Sequence, residues 1–303
     1  MAGCSAALAA ALPRVAGAAE AAKGSKPHIA CNHFPWLQLF RRDGRNFNAD
    51  LDAGLAEVAQ SGVDGFEPMI TKPEDVDTMA PLLKKHGLEM RSLYINSLLH
   101  VPEGVDTSIA NVMDIAERAK SAGTRIIVVN PTPIRWGGPE NKDDQQIRTQ
   151  AAALQKLGEK LHTLGLVLGY HNHDPELRNA AREFHHMMLS TNPKHMSLCL
   201  DAHWMYRGSG NSVVALMDIV KLYGDRVCEV HLRQSVNGTW TEAFGEGDID
   251  YRELARQLQA KGVRPHIVLE QAPEKQTPKT MDAVEAIRRG RAYAEEVMGE
   301  IAA

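Results

Sequence analysis

The chain has 303 residues, 44% of them hydrophobic and 24% charged, the proportions of a globular protein and not of a disordered one. Its 34 basic and 38 acidic residues leave a formal charge of −4, which argues against a nucleic-acid binder or a polybasic membrane anchor. Four scattered cysteines (Cys4, Cys31, Cys199, Cys228) exclude a disulfide scaffold, whereas 13 histidines against six each of Tyr and Phe form an excess to be explained.

Residues 1–22 hold eleven alanines, and Arg14 and Glu20 are their only charges. A segment with no polar face is not an amphipathic helix; it reads as the apolar part of an export signal, ending in small residues at Val15–Ala19. Export to the periplasm is therefore expected, with a cytoplasmic protein carrying an alanine-rich tail as the alternative. No later run of 18 apolar residues exists, so no membrane span is expected. Residues 24–303 show no internal boundary and are expected to form one domain.

Within that domain a unit recurs: a helical stretch, a glycine, then a short apolar run. Gly62, Gly87, Gly123, Gly165 and Gly262 stand where a left-handed residue ends a helix. The runs that follow show little alternation, as in parallel strands buried on both faces. Strands are predicted near 28–32, 63–67, 88–94, 125–130, 166–171, 196–201, 227–232 and 266–270. Helices are predicted near 49–61, 74–86, 106–122, 143–164, 177–190, 212–223, 251–260 and 279–298. Eight such pairs fit an α/β fold, a single-domain (β/α)8 TIM barrel. An open doubly wound sheet would show a glycine-rich phosphate turn after its first strand, where this chain has "CNHFPW".

Barrel strands are expected to be apolar inside and to carry the site at their C-terminal ends. The predicted strands end in Asn32 and His33; Glu67; Tyr94 and Asn96; Asn130; His171, Asn172 and His173; Asp201 and His203; His231 and Arg233; Glu270 and Gln271. All eight ends are polar and four carry an imidazole. Any one buried histidine is more often a satisfied core residue, but leaving so many polar groups together unpaired would cost roughly 1–3 kcal/mol each. A strand-five histidine, Asp201, His231 and Glu270 make a mixed imidazole and carboxylate set. Such a set suits one divalent metal ion: Mn2+, Zn2+, Co2+ or Mg2+.

At "GYHNHDPEL" (169–177), "CLDAHW" (199–204), "EVHLRQS" (229–235), "GEGDIDY" (245–251) and "IVLEQ" (267–271) the sequence resembles the sugar phosphate isomerase/epimerase-like family of xylose isomerase-like TIM barrels. The resemblance covers nearly all of residues 28–298. It implies that a strand-five carboxylate, a strand-six Asp, a strand-seven His and a strand-eight Glu hold one divalent metal; Asp201, His231 and Glu270 match. Strand five departs, with His171 in place of the usual Glu, as in the "YHNHD" subgroup whose members act on inositols, sugars and 3-keto-sugars. His171 is taken as the fourth ligand, with His173 and Glu176 as alternatives.

These readings lead to an expected isomerase or epimerase acting on a ketose or keto-sugar through an enediolate. Glu270 is expected to act as ligand and base, and His171 or His173 to return the proton. A metal-dependent lyase or dehydratase on an inosose or 3-keto-glycoside is the alternative. A non-catalytic exported sugar-binding barrel is a third, argued against by the metal set. Trp36, Trp136 and Trp204 either stack on a sugar ring or simply pack their loops. Arg207 and Arg233 either bind an anionic group or pair with nearby acids, and Asn130 and Glu67 complete the expected substrate contacts. Residues 130–142, ending at Lys142, are long enough to act as a lid. The expected partner is a small sugar, with no nucleic acid; a homo-oligomer is left open.

Overall fold

The computed structural model describes residues 26–303; the alanine-rich segment over 1–22 lies outside them. Eight parallel strands form the barrel: β1 (Ile29–Asn32), β2 (Gly65–Glu67), β3 (Ser92–Ser97), β4 (Ile126–Pro131), β5 (Val167–His171), β6 (Met196–Asp201), β7 (Val227–Leu232) and β10 (His266–Leu269). Their order is β2-β1-β10-β7-β6-β5-β4-β3. The ends of that order meet where Phe66 N donates to Glu89 O and Tyr94 N donates to Pro68 O, both at 2.9 Å. This is the (β/α)8 barrel expected from the repeat.

The main helices around it are α2 (Leu51–Gln60), α3 (Pro73–Lys85), α4 (Pro102–Ser121), α5 (Asp144–Thr163), α6 (Asp174–Ser190), α8 (Val213–Tyr223), α9 (Tyr251–Ala260) and α10 (Ala283–Met298). The five helix-ending glycines all sit at positive φ, between 70° and 97°. Apolar faces of strands and helices merge in one core, with Leu154, Leu157, Phe184 and Met187 on α5 and α6 fully buried. No helix among the described residues is long and apolar enough to cross a membrane.

Besides two short 3-10 turns, two α-helices and a hairpin went unread in the sequence. Helix α1 (His33–Arg42) starts directly at the end of β1, and α7 (Ala202–Gly208) directly at the end of β6. In each case the last strand residue is the N-cap: Asn32 Oδ1 accepts from Phe34 N at 2.7 Å and Asp201 Oδ1 from Trp204 N at 2.8 Å. The cap leaves no turn residues to read between strand and helix. The hairpin is β8 (Ser235–Val236) and β9 (Thr239–Trp240). Asp248 of "GEGDID" clamps it, accepting from Ser235 Oγ at 2.6 Å and from the Asn237 and Gly238 N–H groups.

Candidate metal centre and substrate cavity

Strand register decides which side chains meet. Asp201 is paired across the sheet with His231, and His171 with Cys199, two residues before Asp201 and so on the same face. The side chains of His171, Asp201, His231 and Glu270 consequently converge at the C-terminal mouth, each offering one ligand atom within 4.8 Å of the others. His231 Nδ1 lies 3.0 Å from Glu270 Oε2. His171 Nε2 stands 3.8 Å from Glu270 Oε2 and 3.9 Å from Asp201 Oδ2. Those last two distances are too long for hydrogen bonds.

Neither ring nitrogen of His171 has a hydrogen-bond partner, nor does Asp201 Oδ2, although all are buried. Orphaned buried lone pairs of this kind are rare and costly. Two imidazoles and two carboxylates facing one point fit a divalent cation of the Zn2+, Mn2+ or Co2+ type. The surroundings agree. Burial pulls the His171 imidazole down to about 4, so it stays neutral with a lone pair to give. Burial also pushes the Asp201 carboxyl up to about 7, with Arg233 opposing and Glu270 adding to the rise. At Glu270, burial is overridden by the Arg233 guanidinium and by the nearby imidazoles, above all His231 at hydrogen-bond distance, which hold its carboxyl well below the usual range.

Beside the donor set is a cavity of about 210 Å³ lined by Glu270, His173, Arg233, Trp204 and Trp136 among others. Glu270 is thus shared between the two. A larger groove of about 920 Å³ between α3 and α4 contains none of the four donors.

A family model described as xylose isomerase-like TIM barrel matches residues 55–293. The chain belongs to that family. It is 24% identical over 271 residues to an inosose dehydratase of Clostridium perfringens, covering 80% of this chain and 88% of that protein. In fold it is similar to the 3-keto-D-glucoside 4-epimerase of E. coli, with a TM-score of 0.63 and 17% identity over 89% of this chain and 100% of that one. It is also similar to a xylose isomerase-like barrel protein from Mycobacterium smegmatis in complex with magnesium, with a TM-score of 0.67 and 14% identity over 92% and 98% of the two chains.

Within this xylose isomerase-like barrel the other predicted residues take varied places. His173 caps α6 and lines the cavity; its Nδ1 lies 3.0 Å from Asn130 Oδ1, while Asn130 Nδ2 donates to Asn96 Oδ1 at 3.0 Å. Because Asn130 Oδ1 can only accept, His173 Nδ1 carries the proton and Nε2 keeps the lone pair. Asn130 therefore orients His173 and is not part of the cavity lining. Arg233 is buried against Glu270, with Nη2 at 3.2 Å from Oε1, and its Nη1 has no partner. Trp240 packs 4.2 Å from the Arg233 guanidinium carbon, so the hairpin serves as a shelf for this cation.

Four predicted contacts lie elsewhere. Trp36 is fully buried in α1 against Phe40 and Phe47, because its strand end continues as a helix and not as a loop. Arg207 pairs with Glu274 at 3.2 Å and donates to Gly238 O, which ties α7 to the hairpin. Glu67 lies below the cavity, accepting from Asn32 Nδ2 at 2.6 Å. Glu176, the alternative fourth ligand, accepts from His173 N at 2.9 Å and closes the capping box of α6, outside the donor group. Phe34 and Met69, which sequence reasoning passed over, line the cavity instead. Apolar residues just after a polar strand end were the available signal.

Proposed function

We propose that the protein is a divalent-metal-dependent enzyme that removes the proton next to the carbonyl of a ketose or keto-sugar and returns it, as an isomerase or epimerase. The observation that carries this reading is that two proton-accepting groups, Glu270 and His173, line one small cavity bordered by a metal-type donor set. A divalent cation held by His171, Asp201, His231 and Glu270 would supply Lewis-acid stabilisation of the enediolate's negative charge. The chain's own groups do the rest. The ionised Glu270 carboxylate takes the α-proton. His173, which burial and neighbouring His171 hold neutral, presents its free Nε2 as the second proton carrier. The unpartnered Nη1 of Arg233 donates to a substrate oxygen, a charge-assisted bond in a water-poor site. Trp204 and Trp136 wall the cavity, and its volume suits a single sugar ring.

A second reading, a dehydratase on an inosose or a lyase on a 3-keto-glycoside, is favoured by the likeness to inosose dehydratase. There the same α-deprotonation is followed by loss of a β-substituent, whose departing oxygen takes up the proton that Glu270 removed, directly or handed on through His173 Nε2. Incubating metal-loaded protein with a ketohexose, an inosose and a 3-keto-glucoside in D2O separates the two. Deuterium in recovered sugar supports isomerisation or epimerisation, and an unsaturated or cleaved product supports elimination. No exchange and no product with any of the three would sink both enzymatic readings and leave the non-catalytic barrel.

A further inference from the structure

Beneath the donor set the barrel interior holds charge. Glu229 sits on β7 two residues before His231 and so faces the same way. Its Oε1 lies 3.0 Å from His231 Nε2, and its Oε2 lies 2.9 Å from Nδ1 of His266, its cross-strand partner on β10. Glu67 Oε2, held by Asn32, approaches the same His231 nitrogen at 3.2 Å. Glu67, Glu229 and His231 are fully buried and His266 nearly so. Facing two carboxylate oxygens, His231 Nε2 must carry a hydrogen; Nδ1, turned toward Glu270 and the donor set, is then the one nitrogen left to ligate a cation, releasing its own hydrogen as it does so.

We propose that Glu229 is a positioning residue for the metal centre: braced by His266 from the barrel floor, it fixes the tautomer and ring orientation of His231 so that Nδ1 is presented as a ligand. This rests on the reading of His171, Asp201, His231 and Glu270 as a metal site. Outer-shell carboxylates that bond a ligating imidazole in this way usually change metal affinity about 10–100-fold when removed. The floor of the barrel is thereby coupled to its mouth through three side chains, Glu229, His266 and His231. A competing reading exists, because Glu67, Glu229 and His231 also bring ligand atoms within 4.8 Å and could themselves hold an ion.

The test is Co2+ titration of the metal-free full chain, followed by calorimetry and by the visible absorption of the bound ion. The wild type is expected to bind one equivalent. Glu229→Gln should bind it about 10–100-fold more weakly with a changed visible band, and Glu229→Asp should recover part of both. Unchanged affinity and an unchanged band in Glu229→Gln would overturn the assignment. So would two equivalents in the wild type with only one lost in the variant, which would make Glu229 a ligand of a second ion. Absence of Co2+ binding by the wild type would instead bring down the metal reading, and this inference with it. If Glu229→Gln does not fold, His266→Gln, which keeps the carboxylate and removes its brace, should show the same change to a smaller extent. No change in that variant would overturn the brace.

Discussion

Two buried clusters of ionisable side chains invite comparison, one at the barrel mouth and one in the helix layer between α5 and α6. In the helix layer Lys142 Nζ lies 2.7 Å from Glu183 Oε1, and Gln150 Nε2 donates to the same oxygen at 2.9 Å. An opposite charge and a hydrogen bond are already in place there, and the cluster anchors the end of the 130–142 loop. Arg178 Nη1 holds the loop further along by donating to Gly138 O at 2.9 Å. At the mouth the reverse holds: the lone pairs of His171 and Asp201 converge on one point and stay unpaired. Burial alone therefore does not mark a site. Several unspent lone pairs that converge on one point do: Glu176 also keeps an unpaired oxygen, but its carboxylate is tied to the first turn of α6 and faces no other donor, whereas His171 belongs to the group at the mouth.

The largest effect is expected at the mouth: Asp201→Ala combined with His231→Ala should abolish stoichiometric metal binding and lower turnover of an accepted keto-sugar roughly 1,000-fold or more, since a Lewis acid supplies several kcal/mol. Full metal content in the purified double variant would end the metal-site reading. In the helix layer, Lys142→Met should leave Glu183 without its partner and destabilise the fold by about 3–5 kcal/mol, read from urea unfolding, with metal affinity unchanged. A loss of metal in that variant would mean the two clusters are not separate.

Smaller effects follow at the cavity wall. Trp204→Ala and Trp136→Ala should each raise KM about 5–10-fold with little change in kcat, given ring contacts worth about 1 kcal/mol. Trp136, 54% exposed at the rim, should show the lesser change. The smallest concerns pH. Burial, with Glu183 adding, pushes the Glu176 carboxyl up to about 7 from 4.5. The folded state therefore binds the extra proton between those values, so this group's contribution is complete below pH 4.5 and is lost as pH rises through 7. Glu176→Gln should gain stability relative to the wild type between pH 5 and pH 8 in denaturant titrations. A difference that shrinks over that range would contradict the assignment.

The barrel was legible in the sequence, because five helices end at a glycine in positive φ and are followed at once by a short apolar strand. The sequence also determined that polar side chains crowd the strand ends, and it located Asp201, His231 and Glu270 among them. That much follows from local chain geometry, which spacing records. It could not distinguish His171 from Glu176, since a strand end and the first turn of the next helix are adjacent in sequence yet face different layers. Trp36 was misplaced in a loop because a strand capped directly by its own Asn32 leaves no turn to read. Glu229 was passed over because barrel strands were expected to be apolar inside. Those points rest on the tertiary structure: which lone pairs meet, which are already spent, and which carboxylate lies behind a ligand depend on the cross-strand register of residues remote in the chain, such as His171 and Glu270 or Glu67 and His231.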